Sequence, residues 1–293
     1  EVIAVRIAFL GAARTVTGSQ YLLQLPGTSC LVDCGMYQGH DQALMHSSRG
    51  FGFDPKCLDT VLLTHAHIDH SGLLPRLWKE GFRGQVFCTS ATRDLCEVML
   101  LDSAKIQEED ANWELRTWRK GQQATPPPVP LYTMEDAEGV MEHFVSVDYD
   151  EEVAVSGGLT VRWVDAGHIL GAASLEVWAE EDGRARKIVF SGDIGNPGRP
   201  ILRDPTYISG ADFVIMESTY GNRSHPPEEE VAAALTEVIQ RAARVKGHVI
   251  VPSFAVGRTQ DLLYRLDRLL AEKRIPSVPV FVDSPMASRA TEV

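Results

Sequence analysis

The sequence has 293 residues, of which 44% are hydrophobic and 23% are charged, and this composition excludes a disordered or fibrous protein. No apolar run approaches the roughly 20 residues that cross a bilayer, and the first residues lack a secretory pattern, so we expect neither a membrane nor a secreted protein. The five cysteines form no C-x-x-C pair and predict a reducing, cytoplasmic location, while a net charge of −12 excludes coating of nucleic acid by charge alone.

The first third of the sequence is predicted to consist of strands and tight turns, and its apolar strands suit a sheet that is buried on both faces. Apolar residues at helical spacing then predict a short helix and a long one. The predicted strands cover 2–10, 21–25, 30–33, 60–64 and 85–89, and the predicted helices cover 72–80 and 91–120, before a proline-rich loop at 125–130.

A further helix and a second series of strands follow this loop. Thr133 and Asp136 have the spacing of a capping box and predict a helix that ends near residue 143. Strands are predicted at 152–155, 159–165, 174–179 and 187–191, with a turn at 181–183.

The pattern changes near Gly221, where helices and strands begin to alternate as in βαβ units. A helix opened by Pro226 and Pro227 precedes a strand at 249–251, a helix from about 257 and a strand at 278–282. We therefore expect a first domain at 1–221 and the beginning of a second domain at 222–293. Because the sequence has no initiator Met and stops shortly after the last predicted strand, we also expect a piece of a longer protein.

The segment THAHIDHS at 64–71 is the strongest functional signal. It places His65, His67, Asp69 and His70 directly after an apolar strand, and histidine and carboxylate are ligands that zinc and similar divalent ions accept. His65 and His67 alternate along an extended turn, while Asp69 and His70 reach a second position, so the spacing indicates two metal ions. The alternative is a polar loop that happens to be rich in histidine.

Three further residues end strands and are candidates for the same site. His168 and Asp193 lie in glycine-rich turns, where backbone can approach a ligand closely, and a carboxylate such as Asp193 can bridge two ions. Asp33 is either an acceptor that orients a ligand histidine or the cap of a turn.

The HAHIDH motif, His168 and Asp193, in this order, resemble the metal motifs of the metallo-β-lactamase superfamily. The resemblance implies an α/β fold, an αββα sandwich, with two zinc ions. It assigns one ion to His65, His67, His168 and Asp193. It assigns the other ion to Asp69, His70, Asp193 and a later histidine. His225 and His248 come too early to be that histidine, so the second site is expected to be incomplete in this chain.

Two later segments help to identify which branch of the superfamily the chain resembles. The apolar strand of FVIMESTYGNR ends on Glu217, which either orders a catalytic histidine or faces solvent. PSFAVGRTQ places Ser253 and Arg258 at the start of a helix, where free backbone N–H groups favour an anion, although an ordinary loop is the alternative.

Together with VDSPMA, these segments resemble the β-CASP nucleases, in which an α/β cap is inserted into the sandwich. The ESTYG motif is most similar to the group that contains the nuclease subunit of the messenger RNA 3′-end cleavage complex and its bacterial relatives. In that family Glu217 corresponds to motif A, which pairs with a later proton-donating histidine, motif B. Motif B and the later metal-binding motif C are both absent from this chain, so the inserted cap is incomplete here.

The resemblance implies zinc-dependent hydrolysis of single-stranded RNA through a metal-bridging hydroxide, leaving 5′-phosphate and 3′-hydroxyl ends. Asp69 and Glu217 are the catalytic candidates, and Ser253 and Arg258 are candidates for phosphate contact. The segment 241–274 has eight basic and three acidic residues and supplies local positive charge. A homodimer or an RNA-processing complex is compatible with the sequence. The alternatives are a hydrolase of lactones or thioesters and a non-catalytic RNA-binding subunit.

Overall fold

A computed structural model of the protein describes residues 5–39, 50–119, 127–181, 184–224 and 227–293. The chain divides into two compact units, and each has its own apolar core. The first unit comprises 1–197 and 203–217, and the second comprises 198–202 and 218–293.

The first unit contains a six-stranded sheet whose strands follow one another in chain order. The first three strands are antiparallel, and the remaining neighbours are parallel. The strands at its centre are short and largely buried, because both of their faces are covered. The strands are β1 (Arg6–Phe9), β2 (Tyr21–Leu25), β3 (Thr28–Val32), β4 (Thr60–Leu62), β5 (Gln85–Thr89) and β6 (Phe144–Val147).

A five-stranded sheet packs face to face on the first one. Its order is β11-β10-β9-β8-β7, and only β10 and β11 are parallel. Alternation in β8 turns Val161 and Trp163 into the core between the sheets, whereas Thr160 and Arg162 point to the other face. The strands are β7 (Glu152–Ala154), β8 (Leu159–Asp165), β9 (Ala173–Glu181), β10 (Arg184–Phe190) and β11 (Phe213–Ile215).

Helices cover the first sheet, so the first unit is the mixed α/β arrangement that the sequence predicted. The capping box of Thr133 and Asp136 is confirmed, since the threonine hydroxyl accepts from the Asp136 N–H while the Asp136 carboxylate accepts from the Thr133 N–H. These helices are α1 (Ile68–Ser71), α2 (Leu74–Lys79), α3 (Ser90–Trp118) and α4 (Met134–Met141).

The second unit consists of α5 (Glu228–Arg244), α6 (Arg258–Ala271) and α7 (Pro285–Glu292), joined by irregular segments. Its described core is small and includes Ile239, Leu269 and Ile275. The strands predicted at 249–251 and 278–282 are wrong, because neither segment has a hydrogen-bonded partner strand among the described residues. A strand needs such a partner for its backbone groups.

Other predictions differ in detail. Strand β6 was missed, because its four residues follow a helix directly and carry no clear alternation. The proposed hairpin turn at 181–183, Pro226, His225 and the end of the 91–120 helix lie wholly or partly outside the described residues. Among the helices that the structure describes, none is both long enough and apolar enough to cross a membrane.

Candidate metal centre

The histidine-rich motif leaves β4 as extended backbone and then turns into the short helix α1. His67 stands at the start of this helix with φ −54° and ψ 145°, and its carbonyl accepts from the N–H groups of His70 and Ser71 at 2.9 Å each. Asp69 and His70 therefore lie on a helical turn, whereas His65 and His67 lie on the extended part. The structure therefore has the extended segment that the sequence predicted for His65 and His67, with Asp69 and His70 at a separate position.

Two other strand ends bring the remaining ligands to the same place. His168 follows β8 and Asp193 follows β10. The loops that carry them are joined by a hydrogen bond of 2.8 Å from the Gly195 N–H to the Ala166 carbonyl. A Cβ atom at Gly195 would overlap the carbonyl oxygen of Gly167, so this close approach requires glycine.

One group of donors surrounds a common point. One ligand atom each from His65, His67, His168 and Asp193 lies within 4.8 Å of all the others. Nδ1 of His67 is 3.1 Å from Nε2 of His65 and 3.2 Å from Nε2 of His168. Oδ2 of Asp193 is 3.8 Å from Nε2 of His65 and 3.4 Å from Nε2 of His168. These are spacings at which four side chains can bind one metal ion.

The second oxygen of Asp193 faces a second group. Its Oδ1 is 3.3 Å from Nε2 of His70, and Oδ2 of Asp69 is 3.9 Å from the same nitrogen. Asp193 thus presents one oxygen to the first group and the other oxygen to His70, as a bridging carboxylate would. The structure brings all six predicted ligands together.

Asp33 lies beneath this centre, and its geometry favours the orienting role over the turn cap. Its Oδ2 is 2.6 Å from Nδ1 of His70, which leaves Nε2 directed at Asp193. The buried carboxylate also accepts from the Thr64 N–H at 2.9 Å, the Thr64 hydroxyl at 3.0 Å and the Ser19 hydroxyl at 3.2 Å. Sequence reasoning missed Ser19 and Thr64, whose hydroxyls are too common in loops to stand out.

The electrostatic environment sets the protonation of the ligands. Burial and the neighbouring histidine rings hold the pKa of His65 well below its usual range and that of His67 at about 3. Burial alone would lower the pKa of His70, but the carboxylates of Asp33 and Asp193 raise it well above its usual range. Burial opposes ionisation of Asp193, yet its bond to His70 and the other histidines bring its pKa to about 2. Near neutral pH and without metal, His65 and His67 are therefore neutral and Asp193 is ionised, as metal ligands must be. His70 is protonated under the same conditions, so its Nε2 must release a proton before it can bind an ion.

Glu217 follows β11 and contacts the loop that carries Asp193. Its Oε1 accepts a hydrogen bond of 2.9 Å from the Ile194 N–H, and its own N–H donates to the Ser191 hydroxyl at 3.1 Å. The side chain is half-buried, so the alternative of a strand-end glutamate facing only solvent does not describe it.

Ser253 and Arg258 lie in the second unit, and both are exposed. The expectation of free backbone N–H groups at the start of α6 is wrong for its first residues, because the loop itself satisfies them. The Gly257 N–H donates to Oε1 of Gln260 (2.7 Å), the Arg258 N–H to the Val256 carbonyl (3.0 Å) and the Thr259 N–H to the Phe254 carbonyl (3.2 Å). Phosphate contact at this helix would therefore depend on side chains.

Two family models match parts of this chain. The family model of the metallo-β-lactamase superfamily matches residues 13–89, and that of the β-CASP domain matches residues 259–293. Among solved structures, a subclass B3 metallo-β-lactamase of Bradyrhizobium japonicum is 18% identical, with a TM-score of 0.42 and 93% of each chain covered.

The similar curated proteins act on RNA or transcription according to their names. Ribonuclease TTHA0252 of Thermus thermophilus is 40% identical over 97% of this chain and 59% of its own length. Transcription termination factor FttA of Methanosarcina mazei is 30% identical over 95% of this chain and 42% of its own. An RNase J-like protein of Methanocaldococcus jannaschii is 30% identical over 96% of this chain and 59% of its own length. The chain thus spans less than two thirds of the length of these relatives.

Proposed function

Because the chain belongs to the metallo-β-lactamase superfamily and to its β-CASP branch, we propose that it is the metal-binding part of a ribonuclease. The reaction is hydrolysis of phosphodiester bonds in single-stranded RNA, which leaves 5′-phosphate and 3′-hydroxyl ends. The observation that carries the proposal is the placement of Asp193 between two groups of histidine and carboxylate donors.

The first group of ligands supports zinc. Tetrahedral ligands at zinc distances of roughly 2.0–2.2 Å stand about 3.3–3.6 Å apart. The separations around His67 and Asp193 are 3.1, 3.2, 3.4 and 3.8 Å, close to this range. We propose a second zinc ion on Asp69, His70 and the other oxygen of Asp193, with the rest of its coordination outside this set.

When bound, two such ions would supply a water of lowered pKa and would neutralise phosphate oxygens. The chain's own residues prepare the site for this chemistry. Asp33 holds the ring of His70 by accepting at its Nδ1, and the ionised Asp193 presents an oxygen to each group. Burial raises the pKa of Asp69, which makes its carboxylate a better proton acceptor for an attacking water.

The substrate assignment follows from the relatives and from local charge. The net charge of −12 does not oppose RNA binding, because positive charge is needed only where the strand lies. Ser253 and Arg258 are exposed and are the proposed phosphate contacts of the second unit. Backbone contacts of this kind predict low sequence specificity.

We propose a cytoplasmic location. A reducing cytoplasm agrees with five free thiols, four of which are buried. For assembly we propose a homodimer or a larger RNA-processing complex, and the RNA partner rests on the named relatives and on the local charge given above.

The test measures zinc per chain and cleavage of a labelled single-stranded RNA, with this chain and with an extended form that matches the length of the relatives. In the extended form, His67→Ala and Asp193→Ala should reduce cleavage below detection, because each removes a ligand of the first group. His248→Ala is the matched control, since this histidine is exposed in the second unit.

Undiminished cleavage by both ligand variants would overturn the proposal. Bound zinc without RNA cleavage in the extended form would favour a hydrolase of lactones or thioesters. Absence of metal from both forms would leave a non-catalytic RNA-binding subunit.

A further inference from the structure

The ends of β10 and β11 are fastened to each other beside the metal centre. The Ser191 N–H donates to the Ile215 carbonyl at 2.9 Å, which extends the pairing of the two strands by one bond. The Glu217 N–H then donates to the Ser191 hydroxyl at 3.1 Å. These two bonds fix the backbone from which the Glu217 side chain reaches the next loop.

The Glu217 side chain contacts that loop one residue after the bridging carboxylate. Its Oε1 accepts from the Ile194 N–H at 2.9 Å. This N–H lies in the planar peptide unit that begins at the Cα of Asp193. Holding the plane fixes the backbone rotation at Asp193 and therefore the direction in which its side chain leaves the chain.

The loop itself needs such a support. Gly192 has φ 54°, a conformation in which glycine has no steric penalty and also little intrinsic preference. The two oxygens of Asp193 must nevertheless meet His168 and His70 at 3.4 and 3.3 Å. On the other side, the Gly195 N–H donates to the Ala166 carbonyl and joins the loop to the His168 loop.

We propose that Glu217 is a positioning residue for Asp193, and that it raises the affinity of the site for metal by accepting the hydrogen bond of the Ile194 N–H. This role rests on the proposed metal centre. It differs from the role that the resemblance assigns to Glu217, which is to pair with a later histidine. It requires an acceptor oxygen at the Oε1 position and does not require a negative charge.

Three substitutions separate the oxygen from the charge. Glu217→Gln keeps an acceptor oxygen at the same reach without the charge, Glu217→Asp keeps the charge but withdraws the acceptor, and Glu217→Ala removes both. Glu97→Ala is the matched control, because Glu97 is exposed on α3 in the same unit. The probe is Zn²⁺, titrated against a chromophoric chelator, with the absorption of the Co²⁺ form as a second readout.

We expect the alanine and aspartate variants to bind Zn²⁺ about 10- to 100-fold more weakly and to change the Co²⁺ spectrum, as loss of a residue that orients a ligand does. The glutamine variant should stay within about threefold of the unchanged protein, since only the charge assistance of the bond is lost. Circular dichroism verifies that each variant is folded. If Glu217→Ala does not fold, the Zn²⁺ affinities of Glu217→Gln and Glu217→Asp are compared instead.

Two outcomes would overturn this role for Glu217. Unchanged Zn²⁺ affinity in both the alanine and the aspartate variants would show that the loop needs no such support. A glutamine variant as weak as the aspartate variant would show that the charge, and not the acceptor, matters. Absence of Zn²⁺ binding by the unchanged protein is a different result, which overturns the metal centre and this role together.

Discussion

The two units satisfy their backbone hydrogen bonds in different ways. In the first unit the strands pair with neighbours, and Leu175 on β9 is completely buried between the two sheets. In the second unit the helices form, but the apolar segment at 249–251 remains irregular and Ile250 is 88% exposed. A helix contains its own hydrogen-bond partners, whereas a strand depends on another segment. Apolar sequence therefore becomes a strand only where a partner is present.

This difference also decides where a precise site can be built. The six metal-ligand candidates follow β4, β8 and β10 of the first unit, whose positions are set by sheet pairing and by the core between the sheets. The phosphate-contact candidates of the second unit are exposed side chains near one helix. Side chains at the ends of packed strands hold a fixed geometry, and exposed side chains adapt to a flexible substrate.

The strongest test of this contrast is Asp33→Ala. The substitution leaves His70, Thr64 and Ser19 without their common acceptor inside the first unit. We expect a loss of about 3–5 kcal/mol in the free energy of unfolding, the usual result of breaking a buried ion pair. Urea denaturation measures it, and the zinc content per chain should fall as well.

Asp110→Ala is the control for this measurement, because Asp110 is exposed on α3 and should change the free energy of unfolding by less than about 0.5 kcal/mol. If Asp33→Ala lowers the free energy of unfolding by as little as the control does, the hydrogen bonds of Asp33 do not stabilise the first unit.

A matched pair of core truncations compares the units directly. Leu175→Ala opens the core between the sheets, where Leu175 is fully buried, and we expect a loss of about 4 kcal/mol. Leu269→Ala acts on the small core of the second unit, where Leu269 is 3% exposed, and we expect about 2 kcal/mol. The smaller core has fewer neighbours around the deleted atoms and can collapse more easily. If denaturant unfolding shows equal losses of free energy for the two variants, the proposed difference in packing is wrong.

Sequence reasoning located most of the elements in the first unit and the candidate ligands. The four ligands of the HAHIDH motif are adjacent in the chain, so their common role is visible without a structure. His168 and Asp193 were found because each stands in a glycine-rich turn after an apolar strand, and the family resemblance then assigned them to ions.

The rest depends on contacts between distant segments. Ser19 reaches Asp33 and the Ile194 N–H reaches Glu217 only after the sheets have formed, and neither contact leaves a pattern in the chain. The two strands predicted in the second unit failed for the same reason, because their composition shows what suits a strand but not whether a partner is present. The N–H groups at the start of α6 were expected to be free, since the loop acceptors are likewise invisible in the sequence.

The finest test of the comparison uses one substitution in two apolar segments of the 293-residue chain. Isoleucine to threonine preserves the preference for extended backbone and replaces the ethyl group on Cβ with a hydroxyl, so the difference in burial distinguishes the two sites. Ile188→Thr, on β10 with Ile188 1% exposed, should cost about 2–4 kcal/mol. Ile250→Thr should change the free energy of unfolding by less than about 0.5 kcal/mol, because Ile250 is 88% exposed. A loss at Ile250 close to that at Ile188 would show that 249–251 is a buried strand after all.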